Sequence, residues 1–113
     1  MKLVALAAIV AALLVPSALA ATPTLTGTVG PGFTITLKKG TAKVTKLKAG
    51  AYVIKVSDKS NIHNFHLKGP GVNKSTSVGA SGSSTWKVTL KKGKYTYVCD
   101  PHASIMKGSF TVS

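Results

Sequence analysis

The sequence predicts an all-β domain, a sandwich of two antiparallel or mixed sheets with about seven to eight strands. Three observations support this. Val, Ile, Thr and Tyr dominate a series of short runs, and Gly32, Gly40, Gly50 and Gly93 separate several of them. The runs recur about every ten residues, the spacing of a sandwich or barrel. No segment carries the apolar stripe that a packed helix needs.

The expected strands follow in order. Thr24–Val29 and Phe33–Lys38 flank Gly32, Ala42–Leu47 and Tyr52–Ser57 flank Gly50, His63–Lys68 comes next, Ser84–Leu90 and Lys94–Cys99 flank Gly93, and Gly108–Val112 ends the series. Lys38-Lys39-Gly40, Lys48-Ala49-Gly50 and Lys91-Lys92-Gly93 resemble one another and read as hairpin turns whose lysines blunt turns and edges. The stretch from Gly69 to Ser83 is rich in Gly, Ser and Asn and too polar to form core. It reads as a long surface loop, with room for a short strand near Asn73–Val78. Trp86, Tyr52, Tyr95 and Tyr97 are assigned to packing, the usual place for large amphipathic side chains in a small core.

The opening MKLVALAAIVAALLVPSALA sets one lysine before thirteen apolar residues, Leu3–Val15, followed by Pro16 and the small-x-small triplet Ala18-Leu19-Ala20. That is the layout of a secretory signal, residues 1–20, cleaved after Ala20. A bilayer span needs roughly 20 apolar residues, so no transmembrane segment is expected after cleavage. Residues 21–113 then form a single domain, monomeric and exported to the periplasm or the medium. A domain that small buries a modest core, and exported proteins of its size usually add disulfides or a metal. Cys99 is the only cysteine, so no disulfide can form within the chain. In an oxidising compartment that thiol must be buried, paired with another molecule, reactive or bound to a metal.

All fifteen basic residues are lysines, against Asp58 and Asp100 alone, so the chain carries a net charge of +13, or +12 once Lys2 is removed. Such a field favours anionic partners, whether acidic proteins, cell-wall polymers or lipid headgroups, chiefly by raising encounter rates. Nucleic acid is not expected, because there are no arginine forks and no stacking aromatics on a recognisable module.

The chemistry lies in Tyr95-Thr96-Tyr97-Val98-Cys99-Asp100-Pro101-His102-Ala103-Ser104-Ile105-Met106. A strand runs into a cysteine, a histidine follows three residues later and a methionine four after that. Thiolate, imidazole and thioether are soft or borderline donors, and a trigonal Cys-His-His set with a long axial Met suits an electron-transfer copper ion. The second histidine must come from elsewhere. His63 and His66 both lie in Asn61-Ile62-His63-Asn64-Phe65-His66-Leu67. Alternation puts His63 on the face of Phe65 and Leu67, so His63 is expected inside as the ligand and His66 outside.

His63-Asn64, followed by Cys99-Asp100-Pro101-His102 and Met106-Lys107-Gly108, resembles the cupredoxins, the type 1 blue copper proteins such as plastocyanin and amicyanin, over essentially all of residues 21–113. The resemblance implies a Greek-key sandwich holding one copper, Cu(I) or Cu(II), on His63, Cys99, His102 and Met106. Six residues separate Cys99 from Met106, one more than in amicyanin and one fewer than in plastocyanin. The resemblance also implies that the Asn64 backbone N–H donates to the Cys99 sulfur and that the Asn64 side chain ties the two ligand-bearing segments together. Pro101 has no N–H to offer the thiolate. Fewer hydrogen bonds on the sulfur favour the cuprous state less by that route.

The expected function is one-electron transfer between redox partner proteins, through the exposed edge of His102, ringed by Pro101, Ala103 and Ile105. The lysines would steer an acidic partner. The alternative is a copper carrier or storage protein without fast electron transfer. Enzymatic readings fit less well. A Cys99–His102 nucleophile has no evident third orienting group, zinc seldom uses methionine, and three histidines and one cysteine are too few for a multicopper oxidase or a dinuclear copper centre.

Overall fold

Alternation along each strand builds two sheets whose apolar faces meet. In the computed structural model, which describes residues 21–113, the strands are β1 (Thr24–Val29), β2 (Ile35–Lys39), β3 (Ala42–Lys43), β4 (Lys46–Leu47), β5 (Gly50–Asp58), β6 (His66–Gly69), β7 (Val72–Ser75), β8 (Gly82–Leu90), β9 (Gly93–Val98) and β10 (Lys107–Val112). The expected signal segment lies outside the described residues. One sheet has the order β3-β2-β1-β5-β8 and the other β4-β10-β9-β6-β7. Both are mixed, because β1 pairs with β5 in parallel and β4 pairs with β10 in parallel. Among the described residues no helix is long and apolar enough to cross a membrane.

The core lies between the sheets. β5 shows why: Tyr52, Ile54, Val56 and Asp58 are buried while Ala51 and Lys55 are exposed, the period of two that a sheet with one wet face requires. Leu25, Leu37 and Leu90 from one sheet meet Leu67, Tyr95, Tyr97 and Phe110 from the other, all at most 2% exposed. Phe65 stacks on Tyr97 with ring centres 5.6 Å apart, and Tyr95 stacks on Phe110 at 5.2 Å. The Tyr95 hydroxyl avoids an unpaired burial by accepting from the Lys91 N–H at 2.8 Å and facing the Lys91 and Pro70 carbonyls. These rings lie where neighbouring residues have no side chain. A Cβ at Gly69 would overlap the Tyr95 ring, one at Gly108 the Tyr97 ring, and one at Gly27 the Phe65 ring.

Several boundaries differ from the sequence reading for local reasons. Ala42–Leu47 is two strands, not one: β3 pairs with β2, β4 pairs with β10, and buried Val44 between them carries the chain from one sheet to the other. Within the polar Gly69–Ser83 stretch, Gly69 closes β6 and Val72–Ser75 is a strand that pairs with it, while residues 76–81 run as loop up to the start of β8 at Gly82. The fifth expected strand begins at His66 rather than His63. Phe33 falls in the turn before β2.

The registers place Val29, Asp58 and Val98 toward one end of the sandwich and Thr24, Gly50 and Gly93 toward the other. The loops 30–34, 59–65, 76–81 and 99–106 gather at the first end, which carries the site. Replacing Gly69 by Ala should destabilise the protein by about 1–3 kcal/mol in urea unfolding, as overpacking against a buried ring does. Gly79→Ala, where a Cβ meets nothing within 4 Å, should change stability by less than about 0.5 kcal/mol.

Candidate metal centre

Two loops deliver the side chains, and each is held by its own hydrogen bonds. The first follows β5. Asp58 is 3% exposed, and its carboxylate accepts from the Ser60 N–H at 3.1 Å and from the Thr76 hydroxyl at 3.3 Å. Ser60 Oγ in turn accepts from the Ile62 N–H, and Thr76 Oγ1 accepts from the Phe65 N–H at 2.9 Å. This polar scaffold turns the chain so that His63, Asn64 and Phe65 are all buried before β6 starts. His63 is therefore inside, as expected, although the turn rather than strand alternation puts it there. Gly30 leaves room for it, since a Cβ there would come within 3.1 Å of the His63 ring.

The second loop runs from Cys99 to Met106. Asp100–His102 forms a 3-10 turn with Pro101 near its start, where a missing N–H costs nothing. The Cys99 N–H donates to the Met106 carbonyl at 3.0 Å, the His102 N–H to the Cys99 carbonyl at 3.0 Å, and the Met106 N–H to the His102 carbonyl at 2.9 Å. The loop thus closes on itself, with Cys99 and Met106 side by side and both fully buried.

These constraints bring three donors together. His63 Nδ1 and His102 Nδ1 are 3.1 Å apart, and Cys99 Sγ lies 3.6 Å from the first and 3.5 Å from the second. A circle through three points at those separations has a radius of about 2.0 Å, a metal–nitrogen bond length. His63 Nε2 is buried with no hydrogen-bond partner, so Nδ1 is the nitrogen its surroundings put to use. Two imidazole nitrogens and a thiol sulfur, with buried Met106 beside them, fit a soft or borderline transition metal. Of the sequence-predicted residues, His63, Cys99, His102 and Met106 all lie at this centre.

Asn64 joins the loops. Its Nδ2 donates to Asp100 Oδ2 at 2.8 Å, and its Oδ1 accepts the Asp100 N–H at 2.7 Å. His66 faces away from the three donors, as expected, and has a place of its own. Its Nδ1 pairs with the Asp100 carboxylate at 2.9 Å and its Nε2 lies 2.6 Å from Asn73 Oδ1. Partial burial pushes the Asp100 carboxyl up, but hydrogen bonds from Asn64 and His66, with the charges of His66 and Lys68, hold it below its ordinary value.

The sequence reading missed Phe33. Its ring stands edge-on to both imidazoles, with centres 5.1 Å from His63 and 4.9 Å from His102, yet it is 56% exposed. No spacing rule connects Phe33 to His102; only the 30–34 loop does. Ile62, Val78 and Ile105 are the other large apolar residues left exposed among the described residues, and all four lie in the loops at this end. Pro101 and Ala103 are also exposed and His102 is partly so, which gives the expected rim more members than the ligand loop alone supplies.

The chain matches the family model of the cupredoxin-like domain over residues 3–112. No curated protein matches it by sequence. It is similar in fold to reduced rusticyanin, with a TM-score of 0.61 and 20% identity over 80% of this chain and 78% of that one. Rusticyanin from Thiobacillus ferrooxidans gives 0.55 and 20%, covering 80% and 76%. Auracyanin A, a "blue" copper protein from the green thermophilic photosynthetic bacterium Chloroflexus aurantiacus, gives 0.52 and 16%, covering 82% and 100%.

Asn64→Ala should weaken metal binding by about 10–100-fold in a competition titration, because it frees the ligand loop from the His63 segment. The lowered Asp100 value carries a pH dependence of definite sign. Its tie stabilises the fold above the unfolded carboxylate value of about 4 and is lost as pH falls through the lowered native value. In metal-free protein, Asp100→Asn should remove that part of the acid limb from an unfolding profile.

Proposed function

This chain belongs to the cupredoxin-like domain family, and from that premise we propose that residues 21–113 are an exported, monomeric one-electron carrier holding a single copper ion. The triangle of His63 Nδ1, Cys99 Sγ and His102 Nδ1 carries the reading. His63, Cys99, His102 and Met106 would hold the ion, the thiolate, imidazole and thioether set suiting copper in both its oxidation states. Copper, when bound, supplies a centre that alternates between the cuprous and cupric states.

The chain's own residues do the rest. The two loops hold the donors in one arrangement, so little has to move when the charge changes. Burial of His63, Cys99 and Met106 keeps water and exchanging ligands away, which supports an electron carrier over a protein that hands its metal on. Asn64 fastens the two ligand-bearing loops through Asp100, and Pro101 has no N–H to offer the Cys99 sulfur. His102 offers its partly exposed ring edge to the partner, and Phe33, Ile62, Val78 and Ile105 form the dry ring around it. A partner redox protein therefore meets this end through an apolar face. The lysines attract an acidic partner from a distance, but of the fourteen only Lys59 lies within the four loops that form this end, with Lys68, Lys74 and Lys107 in the strands next to them.

One equivalent of Cu(II) should give an intense visible thiolate-to-copper charge-transfer band that ascorbate bleaches reversibly and Cys99→Ser abolishes. A colourless or weak tetragonal spectrum would overturn the reading. Ile105→Lys should slow electron self-exchange between oxidised and reduced copies by on the order of tenfold, since a charge must then be desolvated at the contact. The reduction potential should stay nearly unchanged.

A further inference from the structure

The end of the sandwich opposite the metal centre is as basic as the metal end is apolar. Lys91 and Lys92 form the β8–β9 turn and Lys94 lies at the start of β9 beside it, Lys46 begins β4 and Lys48 follows it, and Lys39 closes β2. All six are exposed, and both aspartates lie at the far end, Asp58 closing β5 and Asp100 following β9. Lys38 and Lys43, along the side of the sandwich, sit directly opposite each other in the β2–β3 ladder and line a cleft with Lys107. Facing like charges destabilise a strand pair, so folding alone gives no reason to place them there.

Between Lys39, Lys46 and Lys48 lies an open depression of about 590 Å³, floored by Leu47, Ala49, Ala51 and Tyr52. Lysines around a shallow apolar floor suit a surface that offers many anions over hydrocarbon, since long lysine stems lie on apolar ground while their ammonium groups reach outward. The chain also enters the fold here. Pro23 lines the depression.

We propose that this lysine-rich end docks on anionic phospholipid headgroups of a bilayer, which points the metal end away from the lipid and toward soluble partners. Each lysine near such a surface adds attraction that salt screens within about one Debye length. The inference does not rest on electron transfer, and it can be read with metal-free or copper-loaded protein.

The test is co-sedimentation of residues 21–113, which supply both sheets and the whole core, with vesicles. Phosphatidylcholine vesicles containing about one third phosphatidylglycerol should bind the protein, pure phosphatidylcholine vesicles should not, and added salt should release it. Two triple variants of equal net charge separate placement from total charge. Lys39→Glu with Lys46→Glu and Lys48→Glu should weaken binding at least about tenfold, and Lys55→Glu with Lys59→Glu and Lys87→Glu less than about threefold. Circular dichroism of both variants shows whether the fold is retained, and Lys→Gln versions of the same two sets repeat the comparison should either Glu variant lose it. Equal losses in the two sets would overturn the proposal, as would no binding to the anionic vesicles. Retention by a soluble acidic polymer such as polyglutamate, without vesicle binding, would assign the charge to an acidic macromolecule and overturn the membrane proposal too.

Discussion

Two imidazole nitrogens and a sulfur held within 3.1–3.6 Å of one another are the constraint on which the rest of this structure turns. No strand or helix brings such groups together by itself. One donor comes from the turn after β5 and two from the loop after β9, so the two sheets must be packed in a fixed register before the triangle exists. The stacks of Phe65 on Tyr97 and Tyr95 on Phe110 order the second sheet, and the Phe65 ring locks it to the first by lying against bare Gly27 of β1 and facing Trp86 of β8. Buried Asp58 then shapes the first loop, and the Asn64–Asp100 pair fastens it to the second. Supporting groups of this kind orient ligands and tune a metal as much as the ligands themselves do.

The same fold separates surfaces by chemistry. Strand direction sends Phe33, Ile62, Val78 and Ile105 to the metal end with few charges, and sends turn lysines to the other. An electron carrier gains from this division, because an apolar face around His102 allows brief, dry contacts, while charge elsewhere keeps the protein soluble and governs where it dwells. A charge-rich rim would bind one partner more tightly and release it more slowly.

Much of the site was legible because it is local in the chain. Cys99, His102 and Met106 sit on one short loop, and their donor chemistry speaks through spacing alone. His63 was chosen over His66 by strand alternation, yet β6 begins only at His66; burial of the whole His63–Phe65 segment made the choice hold. What escaped the sequence depends on contacts between distant segments. Phe33 reaches His102 across nearly seventy positions, and Asp58 counts only as a charge in the sequence until the Ser60 N–H and the Thr76 hydroxyl hold it. β7 was legible only as room for a short strand near Asn73–Val78, because only Val72 of its four residues is buried and an edge strand of that kind looks like polar loop. The Ala42–Leu47 run looked like one strand because no glycine or proline interrupts it, yet buried Val44 and Leu47 are three apart, a break in alternation where the chain passes from β2 as neighbour to β10.

The central claim is that the fold, not the metal, sets the donor geometry. The measurement that tests it most directly is a set of high-resolution crystal structures of the metal-free, Cu(I) and Cu(II) forms. The account predicts that His63 Nδ1, Cys99 Sγ and His102 Nδ1 superpose within about 0.5 Å in all three, the tolerance of a preorganised site. A metal-free form in which His102 swings out of the triangle, or in which the 99–106 loop reorders between the two copper states, would contradict it.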